Sequence, residues 1–401
     1  MHDHYYAFSA NNADTNASEV FNPFGVIVSS SAAVDTGADL SDPAKQNSLS
    51  RQSAISLALD YGVQYFRIQI YYDKWMNSTS RTSFLSYYKK ASNAGLKILL
   101  NVNWYDTDSA AQPFPDADAY GSFLTSVLDT LNAIQMKPEL IVIENEEQNC
   151  NRHIIDMSSV AAMHADQQKY IDELAAGVDV CSNYIWWDGA VGIKVTNGGF
   201  TTRGTSYNTW NWLKNETRDT ASARAFARNA FPPKVYEDLY RKKMPVYLSR
   251  AINMGNYYVE AFQQIPLSFI NLHWYEPARV RGWNITKEKI SPWDTGISQD
   301  SISPGVLDEV VEYMSAKFVQ KLVAQEVGQL TTSSALNKAM TDKFLSRPHG
   351  AFDYVCWYDG DSDSPYDAKA MHNTCISGNV SNYTKRENGY AFEYTNSLLR
   401  H

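Results

Sequence analysis

Only four cysteines occur in 401 residues, at Cys150, Cys181, Cys356 and Cys375, and no two share Cys-x-x-Cys spacing. That scarcity excludes a disulfide-framed scaffold and a cysteine zinc site, and leaves one or two disulfides open with no pairing fixed. The eight histidines do not group at metal-ligand spacing either, so neither a metal nor another cofactor is expected. Long apolar runs are missing, and nothing approaches the roughly 20 residues of a membrane-spanning helix. Positive charge is in deficit. A formal net charge of -9 argues against nucleic acid or anionic membrane as partner. No repeat, low-complexity segment or signal peptide is present. The opening "MHDHYYAFSANNADTN" reads as the mature start of a longer precursor with an added Met, so a secreted, periplasmic or cell-surface location is expected.

What the chain has in quantity is aromatic residues: 26 Tyr, 16 Phe and 10 Trp, 13% in all. Many lie in polar stretches such as "NVNWYDTD", "SYNTWNWLKN", "NLHWYEP" and "RGWNIT". Rings in polar clefts stack on the apolar C–H faces of sugars, although a large core would use the same residues.

Short apolar runs alternate with amphipathic stretches along the whole length. The runs are Phe24–Ser29, Tyr65–Ile70, Leu96–Asn103, Glu139–Glu146, Gly192–Gly199, Leu267–Tyr275, Lys321–Gly328 and Phe352–Tyr358. Helical stretches between them include "QNSLSRQSAISLALDYG", "TSFLSYYKKASNAG", "QQKYIDELAAGVDV" and "PGVLDEVVEYMSAKF", with Gly62 and Gly95 placed as helix C-termini. Eight strands alternating with helices predict an α/β fold, a closed parallel (β/α)8 TIM barrel with active residues at the strand C-terminal ends. Residues 1–20 are expected as an N-terminal extension and 21–401 as one catalytic barrel. A polar insertion over about 200–233 would wall the cleft on the catalytic face.

The fourth run drives straight into acids, as "IVIENEEQN". Charge at the edge of a core costs energy unless the site uses it. The seventh run carries a second strand-end acid, Glu326. Strands four and seven face each other across a barrel mouth, so the fold would pair Glu146 with Glu326. Two facing carboxylates can split one difficult substitution into two steps.

The ordered strand-end set resembles the clan A glycoside hydrolases, most closely family 5 and its relatives, over nearly the whole chain. The matching residues are Arg67 in "YFRIQI", Asn145-Glu146 on strand four, His273 and Tyr275 in "NLHWYEP", Glu326 in "VAQEVG" and Trp357 in "VCWYDG". The resemblance implies Glu146 as acid/base and Glu326 as nucleophile, with Asn145 on the sugar 2-hydroxyl and Tyr275 orienting the nucleophile. It further implies Arg67 as a fixed cation beneath the nucleophile, His273 beside the acid/base and Trp357 as the sugar-stacking floor. An Arg and a Tyr hydroxyl would keep Glu326 ionised, and a less compensated Glu146 would keep its proton.

The chain departs from that pattern at two places. Glu147 stands where many relatives have Pro. Strand three offers "NVNW" where family 5 has a His, so Asn103 or Trp104 would fill that part of the pocket. "GIKVTNGG" resembles other clan A branches, which leaves the family open. Glu144 alternates onto the face of Glu146 and would sit deeper, in an internal salt bridge.

The expected activity is a retaining β-glycosidase on a β-linked polysaccharide or oligosaccharide, acting as a monomer. Trp75, Trp104, Trp210, Trp212, Trp274 and Trp283 suggest several subsites and an endo mode. Alternatives are a non-catalytic carbohydrate-binding barrel and a transglycosidase. An aldolase or lyase would need a strand-end Lys or a metal cluster, and neither is seen. "DGDSDS" (Asp359–Ser364) begins like a calcium loop but lacks the Gly and the distal Glu, so a substrate-side loop is expected. Glycosylation sequons fall at Asn77, Asn215, Asn284 and Asn382.

Overall fold

The computed structural model describes residues 24–27, 55, 58–59, 61–106, 110–149, 152–156, 158–200, 254–276, 311, 314–329, 352–357, 372–373 and 384–385. The N-terminal extension, the insertion beyond Phe200, the "DGDSDS" loop and three of the four sequons lie outside them. Asn77 lies within them, and its side chain caps a helix by accepting from Ser80 N at 3.0 Å.

All eight apolar runs are strands: β1 (Phe24–Ile27), β2 (Tyr65–Tyr71), β3 (Lys97–Asn103), β4 (Leu140–Ile143), β5 (Val195–Asn197), β6 (Phe269–Glu276), β7 (Lys321–Gln329) and β8 (Phe352–Trp357). They pair in parallel in sequence order, and β8 returns to β1 through Val26 opposite Trp357, closing the barrel. The helices among the described residues include α1 (Tyr72–Met76), α2 (Ser78–Asn93), α3 (Ala117–Ala133) and α4 (Val160–Asn183). Side-chain caps start three of them, at Asn77, Asp116 and Ser159. Gly62 and Gly95 take the positive φ of helix ends, as their places in the sequence predicted.

Strand alternation sorts the apolar residues into two cores. Tyr65, Leu99, Leu140, Val142, Phe269, Val323, Tyr354 and Cys356 plug the barrel interior. The opposite parity, including Phe66, Leu100, Ile141, Val195, Ile270 and Val355, packs outward in a larger cluster with the helices. Two expected cleft aromatics belong to that larger cluster. Trp75 is fully buried and donates its indole N–H to Ser126 Oγ at 3.0 Å. Trp357 is 1% exposed and shares its strand face with Val355, so its ring offers no open face for a sugar. Cys181 and Cys356 are both buried and free, which removes them from any disulfide.

Up the interior the side chains turn from apolar to polar. Tyr65 gives way to Arg67, Leu99 to Asn101 and Asn103, Phe269 to Asn271 and His273. This gradient points the chemistry to the strand C-terminal ends. At the opposite end Lys194 Nζ and Tyr354 Oη both donate to Glu139 Oε1 at 2.7 Å. Burial would raise the Glu139 carboxyl, but these two bonds and the Lys194 and Lys97 charges hold it below its ordinary value. Its contribution is therefore present at neutral pH and lost as the pH falls through its lowered value. Tyr354→Phe should cost about 1–2 kcal/mol at neutral pH. Denaturant unfolding should show that difference shrinking toward low pH, and a cost that ignores pH would contradict the linkage.

Candidate active site

Arg67 organises the mouth of the barrel. Its Nε donates to Asn101 Oδ1 at 2.9 Å, its Nη1 to Glu326 Oε2 at 3.0 Å and its Nη2 to Asn145 Oδ1 at 2.7 Å. One planar group thus ties β2 to β3, β7 and the end of β4. Such a fork suits Arg and not Lys.

Glu326 reaches this position through a bulge. Leu272 of β6 pairs with Ala324, but the next residue, His273, pairs with Glu326, so Gln325 is the extra residue. Plain alternation from the interior Val323 would send Glu326 outward. The bulge re-aims it inward.

The end of β4 is also irregular. The strand stops at Ile143, and Glu144 and Glu146 take left-handed φ values of 62° and 53°. The expectation that both alternate along one strand face is therefore corrected. Left-handed backbone is costly for a glutamate, of order 1–3 kcal/mol, and its clustering here marks a site where surrounding bonds hold the chain. Those bonds are specific. Asn149 Nδ2 and Arg152 Nε donate to Glu146 Oε2 at 2.7 and 2.9 Å. His153, stacked on Phe114 at 4.4 Å, lies with Nε2 2.8 Å from Asn145 O. Burial pushes the His153 ring down to about 4. It is neutral at pH 7, and its Nε2–H donates to that carbonyl.

Glu146, His273 and Glu326 converge. His273 Nδ1 lies 3.4 Å from both Glu146 Oε1 and Glu326 Oε2. One polar atom of each of the three falls within 4.8 Å of the others. Among the described residues this is the one His/Cys/Asp/Glu group tight enough to suggest a cation. Yet Arg67 and Arg152 already pair with the two carboxylates, which leaves no net charge to hold a metal. The set suits acid–base and nucleophilic chemistry instead.

Glu146 is more compensated than the sequence reading expected. Burial alone would raise it, but the His273 bond, the Arg152 charge and Asn149 outweigh that and hold it well below the ordinary carboxylate range. Glu147 behaves oppositely. It is wholly buried, bonded at Oε1 by Asn197 Nδ2 at 2.8 Å, and burial pushes it up to about 7.

Asn103 occupies β3 with the inward parity of Leu99 and Asn101. It is 2% exposed, and neither polar atom of its side chain finds a partner among the described residues. A buried amide left this way is poised for a ligand hydroxyl. Trp104 stacks on Tyr72, ring centres 4.1 Å apart, and is half-buried. Tyr275 lies on β6 opposite Gly328; its side chain lies outside the described residues. Gly199, at φ +120°, lies just beyond β5 against His273, where an added Cβ would come within 2.4 Å of the ring.

Asn149, Arg152, Asn101 and Gly199 were missed in the sequence. Asn101 was within reach, since it shares the parity of Asn103. Arg152 was not, because its position depends on a turn that no regular pattern encodes.

A closed parallel barrel with two opposed glutamates at its mouth, each paired with an arginine, is what the fold and site define. Solved structures of glycosidases have the same fold. An exo-β-1,4-mannosidase from Opitutaceae bacterium strain TAV5 is 13% identical, with a TM-score of 0.52, over 95% of this chain and 60% of that one. The chain therefore spans less than two thirds of that structure's length. A monomeric β-xylosidase from Caulobacter crescentus CB15 is 12% identical, with a TM-score of 0.54, over 94% of this chain and 68% of that one. A family 1 β-glucosidase from Thermotoga maritima is 10% identical, with a TM-score of 0.54, over 97% and 99%. At such identities the likeness is one of fold, and it is the barrel that the alternation of eight apolar runs with helical stretches predicted. No family model and no curated protein sequence matches the chain.

Removing Arg152 should release the Glu146 carboxyl upward. In Arg152→Met, a carbon-13 carboxyl titration should show Glu146 protonating at higher pH than in the wild type. An unmoved titration would mean that Arg152 does not set the charge of Glu146.

Proposed function

We propose that the protein is a retaining β-glycosidase acting on a β-linked oligosaccharide or polysaccharide. The observation that carries this reading is the approach of the Glu146 and Glu326 carboxylates to within 4.8 Å across the barrel mouth. Retaining enzymes hold their two carboxyl groups roughly 5–5.5 Å apart, while inverting enzymes need a wider gap for water.

The two arginines distinguish the roles. Arg67 is buried, its side chain 4% exposed, and is fixed by three bonds, so it suits a permanently ionised nucleophile, Glu326. Arg152 is 26% exposed and follows the β4 turn, so it can leave Glu146, whose proton must come and go. In the first step Glu326 attacks the anomeric carbon while Glu146, protonated once Arg152 has let go of Oε2, gives its proton to the departing oxygen. In the second, Glu146 takes a proton from water as that water attacks the same carbon and frees Glu326. Asn145, held by Arg67, and Asn103 would meet sugar hydroxyls, and Tyr275 would orient Glu326. His273 would stand between the carboxylates.

The endo mode loses Trp75 from its support, and it is not part of the proposal. A secreted, periplasmic or cell-surface location accompanies a glycan substrate and is proposed with it.

Glu326→Ala should lose activity by at least about a thousandfold on whichever member of a β-glycan and aryl β-glycoside panel the wild type cleaves. Added azide should restore turnover and give a glycosyl azide of inverted anomeric configuration. Glycan binding without turnover on any substrate would instead favour a non-catalytic carbohydrate-binding barrel.

A further inference from the structure

Helix α4 carries a carboxyl that the reaction does not use. Its packed face includes Tyr170, Glu173 and Gly177, which follow one another at helical spacing. Gly177 lets the helix come so close to β4 that an added Cβ would sit 2.3 Å from Ile143 Cδ1. Tyr170 Oη, from the same face, donates to Ile143 O at 3.1 Å. Glu173 between them is thereby pressed onto the chain where β4 ends. It is wholly buried, and neither carboxylate oxygen meets a donor among the described residues. The group that faces it is the carboxyl of Glu144, whose charge raises it beyond what burial does.

Glu144 is equally enclosed, 2% exposed, and is a hub for the site. Its Oε1 accepts from Trp104 N at 2.6 Å, its N donates to Val102 O at 3.1 Å and its O accepts from Asn101 Nδ2 at 3.3 Å. Asn101 in turn accepts from Arg67. Among the described residues Glu144 makes no salt bridge of the kind expected; its side chain meets a backbone amide and a second acid.

We propose that Glu173 is a positioning residue, holding the left-handed Glu144–Asn145–Glu146 turn by donating a carboxylic-acid O–H to the Glu144 carboxylate. Two bare carboxylates cannot share a dry site, and neither alone has enough donors. One proton between them satisfies both. No other described group supplies it. Tyr120 on α3 and Tyr170 on α4 face Glu173, but their hydroxyls are committed to Val102 O and Ile143 O. Cys181 on α4 is an un-ionised thiol, its own value raised by burial. Arg67 acts only through Asn101, and the nearby Glu146 and Glu147 add negative charge. Burial raises both members of the pair; the Glu144 charge raises Glu173 further, while the Trp104 amide and the bond from Glu173 offset part of the rise at Glu144.

The sign of the consequence is fixed. A carboxyl raised in the folded chain holds its proton above the pH at which the unfolded chain loses it. Between those two values stability falls with rising pH, by up to tenfold in the folding constant per pH unit. Glu173→Gln keeps a donor for Glu144 and cannot titrate. The experiment is unfolding of the full chain from about pH 5 to pH 8 as wild type, Glu173→Gln and Glu173→Leu. Wild type and Glu173→Gln should match near pH 5, and Glu173→Gln should become the more stable as pH rises. Parallel curves, or a Glu173→Gln deficit at every pH, would overturn the shared proton. This arm needs no substrate, so it stands or falls apart from the glycosidase reading.

The positioning role rests on that reading and has its own arm. Glu173→Leu should lower kcat about tenfold or more with little change in KM, and Glu173→Gln should restore it. A folded Glu173→Leu with wild-type kcat would reduce Glu173 to a structural residue.

Discussion

The Arg67 guanidinium is the constraint on which the mouth of this barrel depends. It is buried beneath the pocket and donates to Asn101, Asn145 and Glu326 at once. Taking a guanidinium and a carboxylate out of water costs several kcal/mol per ion, and only close, complete bonding repays that. The three acceptors come from strands far apart in sequence, so the bonds can form only when β2, β3, β4 and β7 are in register. The plug of Tyr65, Leu99, Val142 and Phe269 below supplies the apolar stability that lets the layer above be polar.

Around that fixed charge, consecutive acids at one strand end are treated differently. Glu146 faces Arg152, Asn149 and His273 and is held ionised. Glu147 points away to Asn197 and is pushed up by burial to about 7. Glu144 turns back to the Trp104 amide and Glu173. The left-handed residues at 144 and 146 make this divergence geometrically feasible, because an extended strand would have sent both side chains to one face. The bulge at Gln325 makes the matching adjustment on β7. Both halves of the proposed catalytic pair are therefore aimed by departures from regular strand geometry.

Those departures also mark where the sequence stopped being legible. Apolar runs located all eight strands, because a parallel barrel buries both faces of its strands and writes them as continuous hydrophobic stretches. Gly62 and Gly95 announced helix ends. The acids at 146 and 326 stood out because charge at the end of such a run is costly. Their geometry could not be read, since a bulge and a left-handed turn leave no periodic trace. Trp75 was misplaced for a related reason: a strand-end position does not show which way a ring points, and the resemblance that put Trp357 in the cleft does not show it either. Arg152 and Glu173 act at the site from a turn and from a helix face, through contacts that only the folded chain creates. Gly177 is a local hint at the second of these, as a glycine inside a packed helix signals close approach.

In the proposed double displacement Glu326 attacks the sugar while Glu146 moves the proton. The most direct test is trapping with 2-deoxy-2-fluoro-β-glycosyl fluorides of the gluco, manno, xylo and galacto series, followed by peptide mass mapping. One covalent glycosyl adduct per chain is expected, on the peptide bearing Glu326 and at that side chain. An adduct on Glu146 would reverse the two roles, and turnover of a β-glycoside with inversion and no adduct would contradict the double displacement itself.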